Sequence, residues 1–155
     1  MLNIFIKTFI FIFFISSPIY SFEVKWVVDG LNEPESAVFD KKNSAIYISN
    51  INGDPLKLDK NGYISKITVD GQILEKKWIK GLDAPKGMTI FNDHLFVADI
   101  NKIWKINILN KKKQFFSVNG AGFLNDLVVD KKGRIYASDM FKNRIYQLKN
   151  ENITI

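Results

Sequence analysis

The sequence predicts an all-β fold, a β-propeller array of about three four-stranded blades that falls short of a closed ring. Three observations predict it. One pattern occurs three times: Pro34-Glu35-Ser36-Ala37-Val38-Phe39-Asp40 leads to Ile46-Tyr47-Ile48-Ser49-Asn50-Ile51, Pro85-Lys86-Gly87-Met88-Thr89-Ile90-Phe91 to Leu95-Phe96-Val97-Ala98-Asp99-Ile100, and Leu124-Asn125-Asp126-Leu127-Val128-Val129-Asp130 to Ile135-Tyr136-Ala137-Ser138-Asp139-Met140. The offsets, about 50 and then about 40 residues, are those of propeller blades. Between residues 24 and 150 no helical period is sustained; short apolar runs and alternations are separated by polar breaks.

Residues 1–21 read as a signal peptide: Lys7 supplies a positive charge, Thr8 to Ile15 an apolar run too short for a comfortable span, and Ser16 to Ser21 a small-residue end. Residues 22–155 then form the propeller domain, expected to be periplasmic or secreted, with no stable membrane span after cleavage. Val24 to Val28 is a first strand, followed by Val38-Phe39 and Ala45 to Ser49. Asn52-Gly53-Asp54-Pro55 is turn-rich, and Tyr63 to Val69 meets Ile73 to Ile79 across the hairpin signal Asp70-Gly71. The second unit has strands near Gly87 to Phe91, Leu95 to Asp99, Lys102 to Ile108 and Gln114 to Val118. The third has Asp126 to Val129, Ile135 to Ser138, Arg144 to Leu148 and Ile153 to Ile155.

Composition narrows the function. There is no cysteine, so export brings no disulfide framework. The formal charge is +6, almost all lysine; Arg134 and Arg144 are the two arginines. Arginine is the preferred residue for bidentate phosphate and base contacts, so nucleic acid is not an expected partner. The single histidine, His94, lies in a tight turn and cannot by itself build a histidine metal site. No nucleophilic cysteine, glycine-rich phosphate loop or nucleophile elbow is present, and no catalytic residue can be named. Asn50, Asp99 and Asp139 end the second strand of each unit and are expected to cap the turn to the third.

Oxygen-ligand chemistry remains. The first strand of each blade lines a propeller channel, so equivalent positions of successive blades converge there. Those positions are Glu35, Lys86 and Asn125, which differ in type inside an otherwise repeated frame. The bland reading makes Glu35 a solvated loop carboxylate and Asn125 a turn residue; Lys86 is the weakest candidate.

The segments from Pro34 to Asp40 and Asn43 to Ile48, with Asn125 to Met140, resemble the first and third blades of the SMP-30/gluconolactonase/LRE-like family, over about Leu31 to the end. The resemblance implies a propeller of the six-bladed type, this chain supplying its N-terminal half. It also implies a divalent cation, calcium or zinc, held by a first-blade glutamate matching Glu35, and substrate contacts from Asn125 and Asp126. The family arginine two residues before that asparagine is Phe123 here, and the other two metal ligands would fall beyond Ile155. The expectation is therefore that the intact protein is a metal-dependent hydrolase of a lactone or similar small ester. The alternative is a non-catalytic propeller that binds a small ligand or protein. This chain alone is expected to be inactive, with weak or absent metal binding. Its length is read as a fragment or a decayed gene; the other reading is a half-propeller that self-associates or pairs with a missing C-terminal half.

Overall fold

In the computed structural model, which describes residues 22–149 and 152–154, twelve strands form three antiparallel sheets of four. The first blade contains β1 (Pro34–Asp40), β2 (Ala45–Asn50), β3 (Gly62–Thr68) and β4 (Ile73–Leu82). The second contains β5 (Pro85–Phe91), β6 (His94–Asp99), β7 (Lys102–Asn107) and β8 (Lys113–Ser117), and the third β9 (Leu124–Val129), β10 (Ile135–Asp139), β11 (Arg144–Lys149) and β12 (Asn152–Thr154). Each sheet runs in sequence order, and the first strands lie side by side, with β5 packed between β1 and β9. No helix occurs among the described residues, so none of them crosses a membrane as a helix. The predicted signal peptide lies outside the described residues.

Period-two alternation dictates which residues enter the core. Tyr47, Ile64 and Trp78 of the first blade meet Leu95, Val97 and Ile106 of the second in one buried cluster. Phe96, Ala98 and Ile103, from the second blade's opposite face, meet Leu127, Ile135, Ala137 and Leu148 of the third. The hydroxyls of Tyr47 and Tyr146 are buried in these clusters without a hydrogen-bond partner, and burial pushes the Tyr47 phenol up to about 12.

Local chemistry sets the hairpins. Asn92 and Asp93 both adopt positive φ (45° and 58°), which makes a two-residue loop whose twist suits Phe91 pairing with His94. The corresponding turns of the outer blades use a carboxylate instead. Asp40 Oδ1 accepts from the backbone N–H groups of Lys42 and Asn43, at 3.0 and 3.1 Å. Asp130 Oδ1 accepts from those of Lys132 and Arg134, at 2.8 and 3.0 Å.

Two expectations change. Val24 to Val28 is not a strand; it is an exposed, irregular segment attached through Trp26, whose indole donates to the Val69 carbonyl at 3.0 Å and covers Gly71. A β-prone sequence needs a neighbouring ladder to become a strand, and none is beside it. The residues closing the second strands were expected to cap the next turn; Asp139 does so, whereas the hydrogen bonds of Asn50 and Asp99 go elsewhere. All three reach back to the loop leading into their own blade. Asn50 Oδ1 accepts from Asn32 N (3.1 Å), and Asp99 from Asp83 N (2.8 Å), Ala84 N (2.7 Å) and the Trp104 indole (2.8 Å). Asp139 accepts from Gly122 N (2.8 Å) and Phe123 N (3.1 Å), and additionally caps Phe141 and Lys142 as expected.

Asp99 is wholly buried and all three of its donors would lose their acceptor on truncation. Asp99→Ala is expected to cost about 3 kcal/mol or more in urea unfolding, since each stranded buried donor costs about 1–3 kcal/mol. Lys42→Ala removes only the solvent-exposed ion pair with Asp93 and should stay within about 1 kcal/mol of the native protein. Equal losses for the two variants would show that Asp99 is not a structural anchor.

Candidate functional site at the bulged first strands

Each first strand carries an irregularity at the position singled out by the repeat. In β1, Pro34 faces Asn50 while Ser36 faces Ser49, so Glu35 is the extra residue. In β5, the step from Pro85 to Met88 spans only Asp99 to Val97, which inserts one residue at Lys86-Gly87. In β9, the step from Leu124 to Leu127 spans Asp139 to Ala137, with the extra residue at Asn125-Asp126. These are β-bulges, which bend a strand and re-aim its side chains. Serine pins two of them: Ser49 Oγ accepts from Ser36 N at 3.0 Å, and Ser138 Oγ from Asp126 N at 3.1 Å. The second blade has Ala98 at the equivalent place and a glycine in the bulge.

Gly87 brings the bulges of β5 and β9 together. A Cβ there would lie 2.2 Å from Asp126 Oδ1, 2.5 Å from Asp126 Cα and 2.9 Å from the Asn125 carbonyl oxygen, so only glycine fits this approach. Lys86 is 1% exposed. Its ammonium donates to the carbonyls of Ala84 (2.8 Å) and Pro55 (3.2 Å) and lies 4.3 Å from the centre of the Phe123 ring. Phe123 in turn stacks on Phe141, at 5.0 Å between centroids.

Electrostatics tie the three bulges into one site. Desolvation raises the Glu35 carboxyl above its ordinary range; the Lys86 charge opposes this shift and the Asp126 charge adds to it. Glu35 is exposed as a residue, so solvent screens part of this effect. Desolvation lowers the Lys86 ammonium, against the pull of Asp99 and Glu35. Asp126 is exposed, and its Oδ1 accepts from Leu127 N at 2.8 Å; Asn125 is half-buried. Glu35, Lys86 and Asp126 thus share one field, and the Asn125 backbone meets Gly87 beside them.

His94 is half-buried at the start of β6, away from this site, with Nδ1 2.7 Å from the Asn92 carbonyl oxygen. Lys86, the weakest of the sequence candidates, is the best anchored of the four. Its burial rests on the Pro55 carbonyl, contributed by a loop 31 residues away in sequence, and no local signal announces such a partner. The equivalence of Asp99 to Asn50 and Asp139 was the one available hint that a buried anion stands behind it.

No protein-family profile matches the chain, and no curated protein does. Solved structures do match. One is the crystal structure of a nidogen/laminin complex, with a TM-score of 0.65 at 19% identity over 81% of this chain and 47% of the other. Another is a protein provisionally assigned as a gluconolactonase, with a TM-score of 0.58 at 17% identity over 78% of this chain and 46% of the other. The fold is that of an incomplete β-propeller. At these identities the likeness extends to the fold alone, and the chain spans about half the length of the structures it matches.

The raised carboxyl makes a pH prediction. An acid whose folded-state pKa lies above its unfolded value opposes folding once it ionises. For Glu35 the cost is absent below the ordinary glutamate range and complete above the raised value. Glu35→Gln should therefore raise the melting temperature at pH 8 and leave it nearly unchanged at pH 4. A variant that melts lower at pH 8 than the native chain would show that the ionised carboxylate is stabilising.

Proposed function

We propose that this protein is a propeller that binds a small polar ligand at the bulged ends of its first strands, and that a complete ring hydrolyses a lactone or similar small ester there. The observation that carries this reading is the recurrence of a one-residue bulge at Glu35, at Lys86-Gly87 and at Asn125-Asp126. Bulges gather where a fold re-aims side chains toward a site. Lys86 spends two donors on backbone carbonyls, so the groups left to face a ligand are the Glu35 and Asp126 carboxyls and the Asn125 amide. Such a set accepts from hydroxyl groups, as a sugar-derived lactone offers. The provisional gluconolactonase among the structural neighbours points to the same ligand class.

The residues present do not fit a resident divalent cation. Among the described residues no three His, Cys, Asp or Glu side chains gather as a cation site. Glu35 and Asp126 form a pair only, and the Lys86 ammonium stands in their field. A hard cation takes six or more oxygens, several of them charged. The ligand is therefore held by the chain's own polar groups rather than by a resident cation.

Thermal melts test the ligand and the cation separately. Gluconolactone is expected to raise the melting temperature of the native chain, with the shift lost in Glu35→Gln and Asn125→Ala, because a ligand that binds only the folded state stabilises it. Calcium should produce little shift. No lactone-dependent shift at saturating concentration would remove the ligand reading. Tight, stoichiometric calcium binding abolished by Glu35→Gln would restore the metal centre instead.

A further inference from the structure

The connections between second and third strands all leave the array at its bulged end. β2, β6 and β10 finish opposite the starts of β1, β5 and β9: Asn50 faces Pro34, Asp99 faces Pro85 and Asp139 faces Leu124. Two of these connections present large apolar side chains to solvent. Leu56 is 50% and Leu58 56% exposed in the first blade, and Met140 is 56% and Phe141 53% exposed in the third. In the middle blade Ile100 is buried instead.

Phe141 and Leu56 are held in place, and both holds meet at Lys86. The Phe141 N–H donates to Asp139 Oδ1 at 3.1 Å, and its ring stacks on Phe123 with 28° between the planes. Gly122 makes room for this: a Cβ there would lie 3.0 Å from Phe141 Cβ and 3.2 Å from Lys142 Cε. Phe123 in turn has the Lys86 ammonium 4.3 Å from its centre. On the other side, the Leu56 N–H donates to Asp54 Oδ1 at 2.9 Å, and Lys57 N–H closes the turn on the Asp54 carbonyl at 3.2 Å. The Pro55 carbonyl of that turn accepts from the same ammonium at 3.2 Å. Lys86 therefore touches the residue before Leu56 and the ring that supports Phe141.

We propose that Phe141, with Leu56, forms an apolar platform at the lip of the polar site, and that the ligand is a lactone or ester with an aromatic or similar apolar substituent. This deepens the ligand reading above and rests on it. Three observations select such a ligand. The polar groups lie at the bulges, so the apolar side chains of the connections meet what projects beyond them. The Phe141 ring is half exposed yet fixed by a hydrogen bond and a stack, so little freedom is lost when a second ring packs on it. Aromatic faces favour offset stacking on other rings, and burying that surface adds the hydrophobic contribution. A fully hydroxylated ligand would leave Phe141 and Leu56 in water.

A matched pair of ligands tests this: α-hydroxy-γ-butyrolactone and its γ-phenyl derivative, titrated calorimetrically into the full chain. The phenyl derivative is expected to bind about tenfold tighter or better. Phe141→Ala should bring the two affinities within about threefold of each other, while Phe141→Tyr, which keeps the ring, should preserve the preference. The ratio is the readout, because a variant that folds less well loses both affinities together. A preference below tenfold in the native chain, or one that survives Phe141→Ala, overturns the platform and leaves the lactone reading standing. Binding of neither lactone overturns both.

Discussion

The structure depends on one interaction made three times: a buried polar side chain at the end of each second strand, holding the backbone of the loop that leads into its own blade. A loop that dives toward the centre of an all-β array carries N–H groups that no ladder can satisfy. Asn50, Asp99 and Asp139 supply the missing acceptors. The carboxylates do so with more force than the amide, because hydrogen bonds to an ionised acceptor are stronger. Accordingly Asp139 is held below the usual aspartate range by four backbone donors, although burial pulls the other way. Asp99 adds the Trp104 indole and so joins the lead-in loop to the third strand of the blade.

That anchor also places the first strand of each blade. The bulge begins within three residues of the anchored N–H groups, and in the first and third blades its irregular register is pinned on the far side by Ser49 or Ser138. In the middle blade the anchor has a second effect. Asp99 supplies part of the negative field that lets Lys86 remain buried, while Ala84, whose N–H Asp99 holds, offers its carbonyl to the Lys86 ammonium. A lone buried ammonium would be costly; here two carbonyls, an aromatic face and a nearby carboxylate offset the cost.

Much of this fold was legible in the sequence because the strands alternate and the frame recurs. The segment from Leu95 to Asp99 could be read against Ile135 to Asp139 residue by residue. The failure at Val24 to Val28 has a plain cause: its valines and tryptophan favour extended backbone, but strand formation is decided by a neighbour, and a single sequence does not state neighbours. At the site, the equivalent placement of Glu35, Lys86 and Asn125 in the repeat matches their positions on the bulges of successive first strands. What stayed hidden was the role of Lys86, since the Pro55 carbonyl and the Phe123 ring come from distant loops. The backward reach of Asn50, Asp99 and Asp139 was hidden for a related reason. A side chain at a strand end looks identical whether it caps the turn ahead or holds the chain behind.

Gly87 has a consequence for the shape of the array. Where two backbones come this close at the axis while Phe96 and Tyr146 fill the space between the sheets farther out, the second and third blades form a wedge. Their relative tilt is then written in the contrast between a missing methyl group at the hub and bulky rings at the rim. The first blade joins its second and third strands through residues 51–61 and the second through residues 100–101, yet both blades stack in the same way on their neighbours. The difference in length of these connections leaves the stacking alike, whereas one added carbon at Gly87 would begin to flatten the arc.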